Sequence, residues 1–178
     1  MRTIEEQVCT ASELSKKSLQ RAYNDGLHWL AHGVAEEIDE WLEEEKVPEL
    51  VKLGFLDNVE IHWSLFTQGS GVSFTCDMID LDEFSLATEQ EKEDQCLSIE
   101  RTRNGCTHEH SCTLAIDDDV SAEVCKQVWD TYLVQCRALK ELIEERYLAG
   151  TSVGAFIEQS EANDQEFYLD GREYNGDY

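Results

Sequence analysis

The hydrophobic positions of this chain repeat with helical spacing near both ends. Residues 11–24 predict a first helix, and residues 24–26 predict a break. A second helix is expected from there to Lys46, and Pro48 either ends it or begins a short further turn that Gly54 stops. The buried stripe of this second helix is expected to comprise Leu27, Leu30, Ala31, Val34, Ile38, Trp41 and Leu42.

The middle of the chain alternates apolar and polar residues, which is typical of strands. Residues 59–65 and 71–78 predict one antiparallel pair, with Val72, Phe74 and Cys76 facing inward. Residues 95–103 and 107–116 predict a second pair, with its turn at the dipeptide Asn104–Gly105, which favours a hairpin. The strand 107–116 is expected to carry Cys106, His108, His110 and Cys112 along one face.

Helical spacing returns over residues 120–147 and 151–160. The face of the longer helix is expected to include Val124, Val128, Tyr132, Val134 or Gln135, Leu139, Leu142, Ile143 and Tyr147. This order predicts an α+β fold, in which an antiparallel four-stranded sheet of two hairpins is packed by N-terminal helices and a long C-terminal helix. Residues 1–162 are expected to form a single domain, and residues 163–178 an acidic C-terminal tail that docks in part through residues 167–169.

The charge of the chain changes the functional picture. Its 39 acidic and 14 basic residues give a net charge of −25. Direct binding of nucleic acid is therefore disfavoured, because phosphates would be repelled, whereas a basic protein partner is favoured. An apolar content of 41% argues against a disordered acidic polymer. The chain shows neither a membrane-spanning apolar run nor a signal peptide, so a cytoplasmic protein is expected.

The acidic residues are concentrated in blocks. Seven of the ten residues 36–45 are acidic, which on a helix is about one carboxylate per 2 Å of axis. Duplex DNA carries about one charge per 1.7 Å, so a groove that holds DNA could hold this helix. The alternative is an ordinary solvated helix face. The expected partner-binding residues are Glu36, Glu37, Asp39, Glu40, Glu43, Glu44, Asp77, Asp80, Asp82, Glu83, Asp117, Asp118 and Asp119.

Candidate chemistry is confined to the histidine strand and the first hairpin. On the histidine strand, two of the alternating Cys and His side chains could bind one metal ion, but four in a line could not. A metal site would therefore need Cys96 or His62 as a further ligand. The seven cysteines form no C-x-x-C pair and predict reduced, packed thiols without an activated nucleophile. We therefore expect no catalytic residues, resident metal or cofactor, and one possible ligand site comprising Gln68, Ser70, His108 and His110.

Several segments resemble a family of uncharacterised bacteriophage proteins. The matches lie in a strand–turn–strand motif, in a later histidine and in the tail: Phe66, Gln68, Gly69, Gly71, Ser73, Phe74, His110, Phe167, Asp170, Gly171 and Arg172. Ser70 stands where the family has Asp, and the tyrosine that precedes the later histidine in the family is missing here. The resemblance covers about residues 54–172 and implies phage origin and an α+β fold, without an activity.

Charge and resemblance together predict a phage-encoded acidic inhibitor in the host cytoplasm. It would act as a DNA or RNA mimic, like antirestriction and anti-CRISPR proteins of similar charge, and occupy the basic groove of a host nuclease or defence effector. One alternative is a small-ligand or metal-binding protein, or an enzyme, that uses the hairpin at residues 68–71 with His108 and His110. Another is a regulatory module that binds by shape through its long helix, including as a homodimer.

Overall fold

The computed structural model of the chain describes residues 7–66, 70–93, 97–102, 106–116 and 120–174. Its α-helices are α1 (Lys16–Trp41), α2 (Val47–Val51), α3 (Glu89–Glu93), α4 (Ala122–Gly150) and α5 (Val153–Ala162). Its strands are β1 (Val8–Cys9), β2 (Phe55–Leu56), β3 (Glu60–Ser64), β4 (Gly71–Thr75), β5 (Met78–Ile79), β6 (Ser98–Arg101), β7 (Cys112–Ala115) and β8 (Phe167–Tyr168). Short 3₁₀ turns cover Ala11–Glu13, Leu81–Glu83 and Glu109–Ser111.

The fold is α+β, as predicted, but the single four-stranded sheet is wrong. The described strands form four antiparallel ladders of two strands each: β1–β8, β2–β5, β3–β4 and β6–β7. Within the described residues, the backbones of the two predicted hairpins pair at one isolated bridge, between Cys76 and Ile99, with N–H···O distances of 3.0 and 3.2 Å. They go no further because the chain turns after Cys76 into β5, which pairs with β2 instead of extending the ladder.

The first hairpin pairs Ile61 with Phe74 and Trp63 with Val72. The first four residues of β4 are all buried, so both faces of this strand are covered. The predicted inward residues Val72, Phe74 and Cys76 are all buried. In the second hairpin Ser98 pairs with Ala115, and the predicted turn at Asn104–Gly105 lies outside the described residues.

The chain folds into two compact units. Unit one comprises Met1–Ile38 with Glu145–Tyr178, and unit two comprises Asp39–Glu144. In the described part of unit one, a core cluster forms from Ala11, Leu14, Ala22, Leu30, Phe156 and Phe167. In unit two, the aromatic rings of Phe55, Phe74 and Tyr132 pack together, with centroid separations of 4.9 and 4.8 Å.

The predicted break at residues 24–26 is wrong, because α1 runs through it without interruption. Gly26 has a packing role here, since a Cβ built on it would lie 2.7 Å from Cε2 of Phe156. Side-chain pairs one turn apart support the same stretch: Gln20 donates to Asn24 at 3.0 Å, and Arg21 lies 3.8 Å from Asp25. A glycine that permits close approach of a ring therefore resembled a turn in the sequence.

A π-helical turn, Leu42–Lys46, follows α1 directly. The N–H of Val47 donates to the carbonyl of Leu42, five residues back. Pro48 explains the wider turn, because proline has no N–H and its ring would meet the carbonyl four residues back in a regular α-helix. The π turn lies inside the acidic block and leads straight into α2.

The C-terminal residues that the structure describes dock in unit one. Phe167 pairs with Cys9 across β8 and β1 and is 3% exposed. Gly171 has a φ of 89° and packs its backbone against the carbonyl of Ser18, a conformation that favours glycine. Asp170 lies 3.3 Å from Arg21 and 2.9 Å from Arg172, so the segment is held by charge as well as by backbone pairing.

The long helix α4 has a face slightly different from the predicted one. Its buried residues are Val124, Val128, Tyr132, Cys136, Leu139 and Ile143. Val134 and Leu142, both expected on that face, are 56% and 39% exposed. Cys136 belongs to the buried face because it lies one helical turn after Tyr132. Position in the helical repeat therefore decides which residues are buried here, and side-chain hydropathy does not. In the described part of the chain, the helices are all too polar or too short to cross a bilayer.

Candidate functional site

The first acidic block lies on the end of α1 and on the π turn. Glu36 and Glu37 are exposed residues of unit one, where Glu36 lies 3.5 Å from His32. In unit two the exposed carboxylates are Asp39, Glu40, Glu43, Glu44 and Glu45. Ile38, Trp41 and Leu42 are buried. The side chains of this segment therefore form a buried apolar stripe and a solvent-facing acidic surface, as the helical spacing predicts.

Tryptophan N–H groups orient two of these carboxylates. Nε1 of Trp63 donates to Oδ1 of Asp39 at 2.6 Å, and Nε1 of Trp41 donates to Oε2 of Glu45 at 2.9 Å. These neutral donors leave the negative charge in place. Within the described residues, Glu40, Glu43 and Glu44 form no ion pair with a basic side chain. We refer to Asp39, Glu40, Glu43 and Glu44 as the acidic row.

A groove of about 370 Å³ opens beside the acidic row. Its rim includes the carboxylates of Asp39, Glu43 and Glu60, together with His62. Its apolar lining comprises Leu42, Val47, Val59 and Ile61. Burial lowers the pKa of His62, and the nearby Arg101 lowers it further against the opposing effect of Glu60. His62 is therefore neutral at pH 7 and does not cancel the charge of the rim.

The second acidic block has mainly local structural roles. Asp77 accepts a hydrogen bond from Nδ2 of Asn58 at 2.7 Å. Asp80 caps the 3₁₀ turn Leu81–Glu83 by accepting from the N–H of Asp82 at 2.9 Å. Asp82 lies 3.4 Å from Nζ of Lys92, so its charge is partly balanced. Glu83 is exposed. Asp117, Asp118 and Asp119 lie outside the described residues.

The histidine segment is a turn, not a strand, so the predicted common face for Cys106, His108, His110 and Cys112 is wrong. Residues Glu109–Ser111 form a 3₁₀ turn, and β7 begins only at Cys112. The buried Ser111 explains the turn, because its Oγ donates to the carbonyls of Cys106 at 3.1 Å and His108 at 2.7 Å. A strand could not present both carbonyls to one hydroxyl group.

The turn brings a third donor to the two histidines. Nδ1 of His108 lies 3.2 Å from Oε2 of Glu109, and the rings of His108 and His110 are 5.1 Å apart. One ligand atom from each of these three residues lies within 4.8 Å of the others. Sequence reasoning missed Glu109, because a strict strand puts it on the opposite face. The signal that could have found it is the tripeptide His–Glu–His itself.

The first hairpin packs against this turn. A Cβ built on Gly71 would lie 3.0 Å from Cα of His108, and Oγ of Ser64 lies 2.7 Å from Oγ1 of Thr107. Gly71 is therefore needed for close backbone approach. Ser70 is half-buried, and Gln68 lies outside the described residues.

The described cysteines are packed thiols. Cys9, Cys76, Cys112, Cys125 and Cys136 are free thiols. Burial raises the pKa of Cys76 to about 11 and that of Cys136 to about 12. A raised pKa keeps the thiol protonated at pH 7, and the protonated form is a poor nucleophile. These two cysteines therefore serve the core and do not form a reactive site.

Comparisons with known proteins do not connect the chain to a family: no family model matches, and neither curated proteins nor solved structures give a significant match. The resemblance to a phage protein family stays a prediction. Two features of the structure bear on function, namely the acidic row with its groove and the His108–His110 turn.

Proposed function

We propose that this protein is an acidic inhibitor that occupies the basic groove of a nucleic-acid-binding protein, as a mimic of the DNA or RNA backbone. The observation that supports this most is the acidic row: exposed carboxylates, without basic partners among the described residues, beside an acid-rimmed groove. The resemblance to phage proteins suggests the setting, in which a phage-encoded inhibitor acts on a host nuclease or defence effector.

The charge pattern suits this role better than general solubility does. Five of the seven residues 39–45 are acidic, whereas a solubility function needs no such concentration at one site. Dense negative charge accelerates the encounter with a basic groove, and this attraction weakens as salt rises. The net charge of −25 extends the attraction over the whole molecule. Binding is therefore expected to be fast and strongly dependent on ionic strength.

The groove adds a means of recognition that charge alone lacks. Its floor of Leu42, Val59 and Ile61 suits the aliphatic stem of an arginine or lysine. The rim carboxylates of Asp39 and Glu43 then suit the cationic head, and a guanidinium can bind a carboxylate through two hydrogen bonds. We infer that a basic side chain of the target inserts here, in the way it would otherwise contact a phosphate.

The experiment is capture of a target from bacterial host lysate, followed by purification of the captured protein and measurement of its affinity. The test variants are Glu40→Gln/Glu43→Gln/Glu44→Gln and the corresponding triple Lys variant. The matched control is Glu158→Lys/Glu161→Lys/Glu166→Lys, which reverses the same number of exposed charges in unit one. Circular dichroism spectra establish that every variant is folded.

The proposal predicts a nucleic-acid-binding target that duplex DNA displaces. Each lost surface charge pair contributes about 0.2–1 kcal/mol, so the triple Gln variant binds roughly 3- to 150-fold more weakly. The triple Lys variant loses more affinity than the triple Gln variant. The unit-one control binds the target as the wild type does, after correction for net charge. Raising salt from about 0.1 M to about 0.5 M shortens the screening length from roughly 10 Å to roughly 4 Å and releases the target.

Three outcomes would contradict the proposal. One is a target that resists salt and ignores DNA, which would indicate binding by shape. The second is equal loss of binding in the acidic-row variants and in the unit-one control, which would reduce the effect to net charge. The third is the absence of any captured protein that binds nucleic acid.

A further inference from the structure

We propose that the turn formed by His108, Glu109 and His110 binds a divalent transition-metal ion, for which zinc is the best match. This site is independent of the acidic row and does not depend on the inhibitor function. The proposal rests on the donor set, on the distances between the donors and on the hydrogen bonds that hold the turn.

The donor set selects the kind of metal. Two imidazoles and one carboxylate suit Zn²⁺ and similar first-row ions, whereas Ca²⁺ and Mg²⁺ prefer oxygen ligands throughout. A His₂Glu set leaves a fourth tetrahedral position for water, as in zinc sites with an open coordination position. The side chain of His108 is 42% exposed and His110 is also exposed, so an ion can reach the turn from solvent.

The distances are close to those a metal requires. Zinc bonds of about 2.0–2.1 Å at tetrahedral angles hold neighbouring ligand atoms about 3.3 Å apart. Nδ1 of His108 and Oε2 of Glu109 are already 3.2 Å apart, and all three donors lie within 4.8 Å of one another. Contraction of the longest separation by about 1.5 Å, through side-chain rotation, therefore completes the set.

The donor atom of His108 has a weak hydrogen bond within the turn. Nδ1 of His108 accepts a long hydrogen bond from the backbone N–H of His110, at 3.3 Å. The same nitrogen lies 3.2 Å from Oε2 of Glu109. A metal ion bound between these two atoms would replace the long hydrogen bond at Nδ1 and would bring in the second histidine as well.

The backbone of the turn is held from several sides, which keeps the donors in position. Oγ of Ser111 forms hydrogen bonds with the carbonyls of Cys106 and His108. The hydroxyl group of the buried Tyr132 donates a hydrogen bond to the carbonyl of Glu109 at 3.2 Å. The N–H of Thr102 donates to the carbonyl of Ser111 at 2.8 Å. Gly71 packs against Cα of His108. A site held by its supporting hydrogen bonds loses little entropy when the ion binds.

The test is zinc titration of the full chain by calorimetry, after treatment with a chelator and under reducing conditions that keep the cysteines as thiols. We expect one site, and more than about tenfold weaker binding for Glu109→Gln and for His110→Ala. These two variants carry the test because His108 packs beneath Gly71 and its replacement could disturb the fold. Circular dichroism establishes that both are folded.

Two control variants exclude other zinc ligands. His32→Ala removes an exposed His–Glu pair of 3.5 Å at another place in the chain, and Cys106→Ser removes a half-buried thiol close to the turn in sequence. Both are expected to bind zinc as the wild type does, and Co²⁺ bound in place of zinc is expected to show tetrahedral absorption without a thiolate charge-transfer band. The proposal is overturned if the wild type fails to bind, if the Glu109 and His110 variants bind unchanged, or if either control abolishes binding.

Discussion

Two glycines of α1 provide a direct test of the packing in unit one. Gly26 lies beneath the ring of Phe156, and a Cβ added there would be 2.7 Å from Cε2 of that ring and 2.9 Å from Nε1 of Trp29. Gly33 lies in the same helix, and a Cβ added there meets nothing within 4 Å. The variants Gly26→Ala and Gly33→Ala are therefore chemically identical changes in one helix that differ only in their surroundings.

The expected magnitudes follow from two effects. Replacing glycine by alanine in a helix interior gains about 0.8–1 kcal/mol. Overpacking a core costs about 1–3 kcal/mol. Phe156 cannot move away easily, because it is 1% exposed and packs against the rings of Tyr23 and Phe167 at centroid distances of 5.9 and 6.0 Å. Gly33→Ala should gain up to about 1 kcal/mol, and Gly26→Ala should lose up to about 2 kcal/mol.

Urea unfolding followed by far-UV circular dichroism measures both variants against the wild type. The informative quantity is the difference between the two variants, about 1–3 kcal/mol, because the helix-propensity gain is common to both. A thermal scan should separate them by roughly 2–4 °C per kcal/mol for a chain of this length. If Gly26→Ala were as stable as Gly33→Ala, the close approach of Phe156 and the explanation of the uninterrupted α1 would both be refuted.

Further predictions concern the tail, the turn, pH and the thiols. Gly171→Ala should destabilise unit one by at least about 1 kcal/mol, because alanine at positive φ is strained and its Cβ would meet the backbone of Ser18; equal urea midpoints for variant and wild type would contradict this. Ser111→Ala should cost about 1–3 kcal/mol in the same assay and weaken zinc binding, since it releases the carbonyls of Cys106 and His108; unchanged zinc affinity would show that the turn does not need this hydroxyl. Hydrogen bonds from Thr88 and then Ser121 lower the pKa of Glu91 to about 2, below its usual 4.5. The ionised carboxylate of Glu91 therefore stabilises the fold above the usual pKa, and this stabilisation is lost as pH falls from about 4.5 toward 2. Glu91→Gln should flatten the decline of the urea midpoint in that pH range. An unaltered decline would contradict the role of this carboxylate. Cys76 and Cys136 should react with a thiol reagent only on unfolding, because burial raises the pKa of both; fast labelling of either in the native protein would argue against the packed core.

Local patterns were sufficient for most of the individual elements. The first hairpin was predicted because Ile61, Trp63, Val72 and Phe74 alternate with polar residues, and side chains two residues apart on a strand point to the same face. The helical repeat from Val124 to Ile143 predicted α4 for the same reason. The acidic row was visible because charged side chains on the face opposite a buried stripe are exposed wherever the helix packs.

Arrangements that depend on distant residues were not predictable. The sequence contained no sign that Phe156 packs against Gly26, so a packing glycine resembled a break. The joining of the hairpins at one bridge depends on β5 pairing with β2, which local propensity does not determine. The groove beside the acidic row required Glu60 and the end of α1 to come together, although they are far apart along the chain.

The sequence by itself determined the α+β class, the two strands of the first hairpin and the acidic face of α1, because each follows from side-chain periodicity within one element or one pair of neighbouring strands. Only the tertiary structure decided which donors meet. Ser111 draws two carbonyls to one hydroxyl and Gly71 admits the backbone of His108, so the chain turns where alternation predicts a strand. That turn moves Glu109 to the side of His108 and His110. It is held by the local hydrogen bonds of Ser111 and by a bond from Tyr132, which lies 23 residues away along the chain.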